Sequence, residues 1–143
     1  YYGCREYGDF YAKAMSVFGK KYLERWKPDL IVPVPLHPRK KRMRGFNQAA
    51  YLAERLSVLT GIPWNEHLVK KIRSTRSQKK LNAIQRRQNL KNAYQVTEKI
   101  PGFSVLVVDD VYTTGSTADA MAMCLLEAGA EKVYFLTICA GRA

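Results

Sequence analysis

The chain has 143 residues, 47% hydrophobic and 25% charged, which is enough apolar material for one core and predicts a single domain. No run approaches the ~18 apolar residues of a membrane span, and Gly and Pro together supply only 15 residues, so membrane insertion, disorder and collagen-like repeats are excluded. The net charge of +12 is localised: residues 39–44 carry five bases, and residues 67–97 carry nine with no acid. Two basic surfaces on a near-neutral body point to phosphate-bearing partners, small molecule or nucleic acid.

In chain order, Tyr11, Met15, Phe18, Tyr22 and Trp26 recur near helical spacing and predict one amphipathic helix over Asp9–Trp26, stopped by Pro28. Leu30–Val34 reads as a buried strand that opens into the first basic loop. Ala49, Leu52, Ala53, Leu56 and Leu59 predict a helix that ends at Gly61. Leu68–Ile72 is a weaker strand, and 73–92 reads as a polar excursion. Ser104–Val108 is a clear buried strand, followed by a helix carrying Ala118, Met121, Ala122, Leu125 and Leu126, with Gly129 just past its end. Val133–Ile138 makes the next strand. Strands alternating with helices imply an α/β protein with a parallel sheet flanked by helices, whose ligands sit beyond the strand carboxyl ends.

Val105–Thr117, VLVVDDVYTTGST, is the densest chemical signal. Thr113, Thr114, Gly115, Ser116 and Thr117 offer hydroxyls, small side chains and backbone amides immediately before a helix, whose amino terminus favours an anion. No lysine follows the glycine, and a single glycine cannot form a dinucleotide fingerprint, so neither nucleotide-binding loop of that kind is present. Asp109 and Asp110 stand just ahead of the loop, where two carboxylates can accept from vicinal hydroxyls or help hold a divalent cation. Carboxylates beside phosphate amides describe a site for a ribose 5-phosphate.

The same run resembles the PRPP-binding signature of type I phosphoribosyltransferases. More narrowly, 28–49 (PDLIVPVPLHPRKKRMRGFNQA) and 73–94 (RSTRSQKKLNAIQRRQNLKNAY) resemble segments of the ComF/ComFC competence family, through Thr75, Gln78, Leu81, Arg86, Asn89 and the pair Ala93-Tyr94. The resemblance implies a type I phosphoribosyltransferase fold that binds Mg2+-PRPP. It also implies phosphoribosyl transfer to an unidentified nitrogen acceptor, with pyrophosphate release, in natural competence and DNA uptake. Asp109, Asp110, Arg73 and Arg86 would then be catalytic, with Asp109 and Asp110 also facing Mg2+, directly or through water. Thr113 to Thr117 would hold the 5-phosphate. Leu36, His37, Arg44 and Asn47 would face the pyrophosphate, and 73–92 would form the flexible catalytic loop. Members of that family usually begin with a cysteine-rich zinc module, so the resemblance implies a fragment lacking it. A rival reading is a non-catalytic module that keeps the PRPP pocket and contacts single-stranded DNA or competence proteins through its basic segments.

Cys4, Cys124 and Cys139 have no pairing spacing, which argues against disulfides or a zinc site and for a reducing, cytoplasmic setting. The chain opens at Tyr1 with no methionine and no basic-then-apolar leader, which reads as a fragment without a signal peptide. Cys124 and Cys139 are expected as small buried hydrophobes. His37 and His67 lack companions at ligand spacing and are expected in surface or hydrogen-bonding roles. Trp26 and Trp64 are expected to pack, and Tyr112, inside the phosphate loop, is the candidate to stack on a base.

Overall fold

Two apolar runs with alternating faces organise the molecule. The computed structural model describes residues 5–73, 84–85 and 92–141. Strands β1 (Leu30–Pro33), β4 (Ser104–Tyr112) and β5 (Lys132–Ala140) form a parallel sheet in the order β1-β4-β5. Leu30 lies opposite Val105, and Ser104 opposite Lys132. Ile31 and Trp64 form a single parallel bridge on the other side of β1. Because successive strand residues face opposite ways, Ile31, Leu106 and Val108 enter one apolar cluster while Val32, Val105 and Val107 enter another.

The first cluster is covered by α1 (Arg5–Phe18), α2 (Lys20–Trp26) and α4 (Gln48–Thr60), through Ala12, Met15, Leu23, Leu52 and Leu56. The second lies under α5 (Ser116–Glu127), through Ala120, Met121 and Leu125. Helices thus cover both faces, as the alternation of elements predicts. Among the described residues, no helix is long and apolar enough to cross a membrane.

The structure corrects several sequence-based expectations. The predicted helix Asp9–Trp26 is two helices, because Gly19 both closes α1, its amide donating to the Met15 carbonyl at 2.9 Å, and opens α2, its carbonyl accepting from Leu23 at 2.9 Å. The first basic loop contains a short helix, α3 (Pro38–Arg44). His37 caps it by accepting from the Arg39 amide at 3.3 Å, Pro38 supplies a pre-set φ, and Gly45 at φ 82° closes it.

The weak strand around Leu68–Ile72 is β2 (Val69–Lys71), but it does not join the parallel sheet. It pairs antiparallel with β3 (Tyr94–Val96), a strand the charge pattern hides, in a ribbon whose Val69 and Tyr94 enter the core beneath α5. β4 runs four residues past the apolar Ser104–Val108, so Asp109 and Asp110 lie within the strand rather than after it. Trp26 stacks on Tyr134 (centroids 4.7 Å, planes 9° apart) and Trp64 packs against the first cluster, so both indoles are packing residues. Cys124 is half-buried, and burial pushes its thiol up to about 11, far from reactive. Cys139 is exposed rather than buried, because it lies in the last two residues of β5, which both face solvent.

Candidate functional site

β1 and β4 run parallel, so their carboxyl ends and the loops that follow them open on the same side. The end of β4 carries the acid pair. The Asp110 amide donates to Asp109 Oδ1 at 2.9 Å, a local bond that holds the first carboxylate against the backbone of the second residue. Both side chains are half-buried. Burial first, and then Asp110 beside it, push Asp109 up to about 7, while Lys71 draws it back down. An acid that gains from any incoming cation or hydroxyl donor is therefore held at the mouth of the sheet.

Three residues on, the chain turns into α5. Gly115 is buried with φ 79°, a left-handed conformation that favours glycine, and the hydroxyl of the exposed Tyr112 lies over it. The Thr114 and Ser116 hydroxyls are bonded to each other at 2.8 Å, and the Asp119 amide donates to the Gly115 carbonyl at 2.8 Å. The leading amides of the helix have no intrahelical acceptor, and its dipole adds partial positive charge at the same point. Asp109, Tyr112, Thr113, Gly115 and Thr117 line a small cavity of about 20 Å³ there, so Asp109 belongs to the same concavity as the helix terminus. Tyr112 is 42% exposed with its hydroxyl over Gly115, which makes it part of the rim of that cavity.

On the other side of the acid pair, Asp109 and Asp110 share a cavity of about 40 Å³ with Leu36, Arg44, Phe46 and Asn47. Asn47 is the brace of this wall. Its Nδ2 donates to the Val34 carbonyl at 3.0 Å and its Oδ1 accepts from the Ala49 amide at 3.1 Å, so one buried side chain ties the end of β1 to the start of α4. A roomier cleft of about 360 Å³ adjoins it, lined by His37, Lys41, Lys70 and Lys71 together with Leu36 and Asn47. Lys41 is paired with Glu66 at 3.2 Å. Burial, and then the nearby Lys40, hold Lys71 below the ordinary lysine value, with Asp109 opposing them.

Of the residues the sequence singles out, the fold brings Asp109, Asp110, Leu36, Arg44 and Asn47 together at one cavity, and Thr113, Gly115 and Thr117 together with Asp109 at another. His37 lies in the adjoining basic cleft. Arg73 is exposed just past β2 and lines none of the three, while Arg86, Thr75, Gln78, Leu81 and Asn89 lie outside the described residues, as does Cys4. Sequence reasoning missed Lys71 and Tyr94 as neighbours of Asp109. Lys71 was one base among nine in an acid-free run, and only the family pattern marked Tyr94.

Among the described residues no three His, Cys, Asp or Glu side chains gather as a metal cage. Two adjacent carboxylates at an open strand end do fit Mg2+ carried in by a ligand, since that ion keeps waters and takes one or two carboxylates plus phosphate oxygens. They do not form a dedicated site.

The phosphoribosyl transferase domain family matches residues 5–143 of the chain. The DNA utilization protein YhgH of Escherichia coli (strain K12) is 41% identical over 112 residues, covering 78% of this chain and 49% of that protein. Competence protein F of Haemophilus influenzae is 40% identical over 109 residues, 74% of this chain and 48% of the other. Competence protein ComFC of Bacillus subtilis is 33% identical over 114 residues, 80% and 44%. The chain thus spans about half the length of the curated relatives it matches. Among solved structures, the purine phosphoribosyltransferase from Pyrococcus horikoshii shares the fold at 20% identity with a TM-score of 0.55, covering 92% of this chain and 71% of that one.

Proposed function

The chain belongs to the phosphoribosyl transferase domain family, and from that premise we propose that it binds Mg2+-PRPP at the carboxyl end of β4 and transfers the phosphoribosyl group to a nitrogen acceptor. The observation that carries this reading is the order of charges: a helix amino terminus, then Asp109 and Asp110, then Arg44 and the basic cleft. That order matches a 5-phosphate, a ribose diol and a diphosphate along one ligand.

In this reading the amides of Thr113 to Thr117 receive the 5-phosphate. Asp109 and Asp110 accept from the ribose hydroxyls and stabilise the positive charge that grows on the ring as the C1–oxygen bond to pyrophosphate breaks. The acceptor nitrogen forms the new bond to C1 and releases its proton. Arg44, with the cleft lysines, neutralises the departing diphosphate, and Leu36, His37 and Asn47 shape that wall. Arg73 and Arg86 are assigned to the same task from the segment after β2. Asp109 and Asp110 would hold Mg2+, which adds charge neutralisation to the diphosphate. The names of the curated relatives extend the proposal to a role in DNA utilization and natural competence.

Pyrophosphate release from Mg2+-PRPP across a panel of nitrogenous acceptors tests this. Release that disappears in Asp109→Asn/Asp110→Asn supports the enzyme, and calorimetry showing unchanged PRPP affinity in that variant refutes it.

One observation favours the second reading, a DNA-binding module that retains the pocket. α3 buries no residue and presents Arg39, Lys40, Arg42 and Arg44 on its exposed surface. Single-stranded DNA binding that falls steeply with salt and survives the double aspartate change would support it.

A further inference from the structure

Behind the wall assigned to the diphosphate lies a second, larger concavity of about 520 Å³, lined by Phe46, Tyr51 and Trp64, by Glu54 and Glu66, and by Lys41 of α3. That size is ordinary for a small-molecule site. It shares Lys41 and Glu66 with the basic cleft, on the leaving-group side of the ligand proposed above. An acceptor displaces diphosphate from the opposite face of C1, so this concavity does not seat it. The three rings are held by separate elements. Trp64 is carried on an extended segment bonded to β1, where the Ile31 amide donates to the Pro63 carbonyl at 2.8 Å and the Asn65 amide to the Ile31 carbonyl at 3.0 Å. Tyr51 stands on α4, and its hydroxyl donates to Asp9 Oδ1 at 2.9 Å. Phe46, between α3 and α4, is 37% exposed.

The two carboxylates differ in what they can do. Glu66 is taken by Lys41 at 3.2 Å, whereas Glu54 is exposed and has no partner among the described residues. Aromatic rings lining an open concavity are stacking platforms for a base, because every base has a π-face. A carboxylate in the same concavity accepts from the amino group of cytosine, adenine or guanine, and it repels thymine, which presents an acceptor oxygen there. The exposed bases of α3, on the rim, supply the charge that a neighbouring phosphate needs. We propose that this concavity is a nucleobase site distinct from the phosphoribosyl pocket: an amino-bearing base enters among Phe46, Tyr51 and Trp64, places its amino edge on Glu54, and leaves its phosphate to α3. This rests on the second reading above, the DNA-binding module, and names where the strand is read and which bases it favours.

The test is NMR of the 143-residue chain, whose two tryptophans report separate places. Trp26 stacks on Tyr134 of β5, at one edge of the sheet, and Trp64 bridges to β1, at the other, so the first indole is an internal control for the second. The probes are dCMP, dTMP and the DNA hexamers of each, with affinities from calorimetry. The cytosine probes move the Trp64 indole N–H signal and leave that of Trp26 still, and they bind roughly tenfold more tightly than the thymine probes, the equivalent of one hydrogen bond to a charged acceptor. Glu54→Gln, whose amide can accept from cytosine and donate to thymine, brings the two to within about twofold. A hexamer that binds where dCMP does not identifies a strand as the ligand, and dCMP bound as tightly as the hexamer identifies a free nucleotide; both support the site. Cytosine and thymine bound alike by the parent chain overturn it. So does a Trp64 signal that stays still while a hexamer binds, and the DNA-module reading then stands without this site. If no hexamer binds, that reading falls on its own and dCMP decides the site, an unmoved Trp64 signal refuting it.

Discussion

Replacing Asp109 by asparagine should make the stability of the protein less sensitive to pH, in a direction that follows from where the carboxyl sits. Burial and the neighbouring Asp110 raise Asp109 from 3.8 to about 7. Between those values the folded chain still holds a proton that the unfolded chain has released. The folded state therefore binds more protons, and its stability falls as pH rises from about 4 to about 7, then levels. For an isolated group, the part of this loss lying between pH 5 and about 7 corresponds to about 2 to 3 kcal/mol at ~1.4 kcal/mol per pH unit. An asparagine side chain at this position is nearly isosteric and has no proton to lose. Urea denaturation of both proteins at pH 5 and pH 8 cancels the titration of groups they share. The stability of Asp109→Asn relative to the parent should increase by about 2 kcal/mol on going from pH 5 to pH 8, residual solvent access taking off part of the full effect. A difference that stays constant with pH, or that moves toward the parent at high pH, would mean that Asp109 is ordinarily solvated and that the strand end does not hold a strained carboxylate.

Gly115→Val places a β-branched residue at φ 79°, which strains the turn into α5, so phosphate affinity should fall by at least tenfold while circular dichroism shows the helical content preserved. Asn47→Ala removes both the cap of α4 and the bond to the Val34 carbonyl, which should cost about 2 to 3 kcal/mol in urea denaturation; a loss below ~0.5 kcal/mol, the usual range for surface substitutions, would show that the brace is dispensable. Arg44→Gln should weaken diphosphate binding by about 1.5 to 3 kcal/mol and leave ribose 5-phosphate binding nearly unchanged, because Arg44 lines the acid-pair cavity and not the one at the helix terminus. Equal losses for the two ligands in calorimetry would remove it from the diphosphate side.

The parallel sheet and the central chemistry were legible because each is written in consecutive residues. Two short apolar runs, LIVPV and SVLVV, cannot be satisfied except by burial on both faces, which dictates a sheet covered by helices. Asp109, Asp110 and the small residues up to Thr117 are neighbours in the chain, so their closeness in space needs no folding information. The cap signals at His37-Pro38 and Gly45 were equally local, and α3 could have been read from them. The basic composition of 39–44 hid them.

What only the tertiary structure decided involves residues far apart in sequence. Val69 pairs with Val96 in a ribbon separate from the parallel sheet, and that ribbon brings Lys71 and Tyr94 near Asp109. Asn47 reaches back to Val34, and the half-burial of Asp109 depends on everything packed around the end of β4. Local pattern cannot report these features, because the burial of a polar side chain and the identity of its partner arise from long-range packing, in which a lysine or tyrosine is placed by the backbone that carries it and not by its own preference for water. The residue types and their spacing along the chain thus determined a loop of small and hydroxyl residues beside two acids. The fold alone determined which cation stands near them and which carboxylate is pushed up.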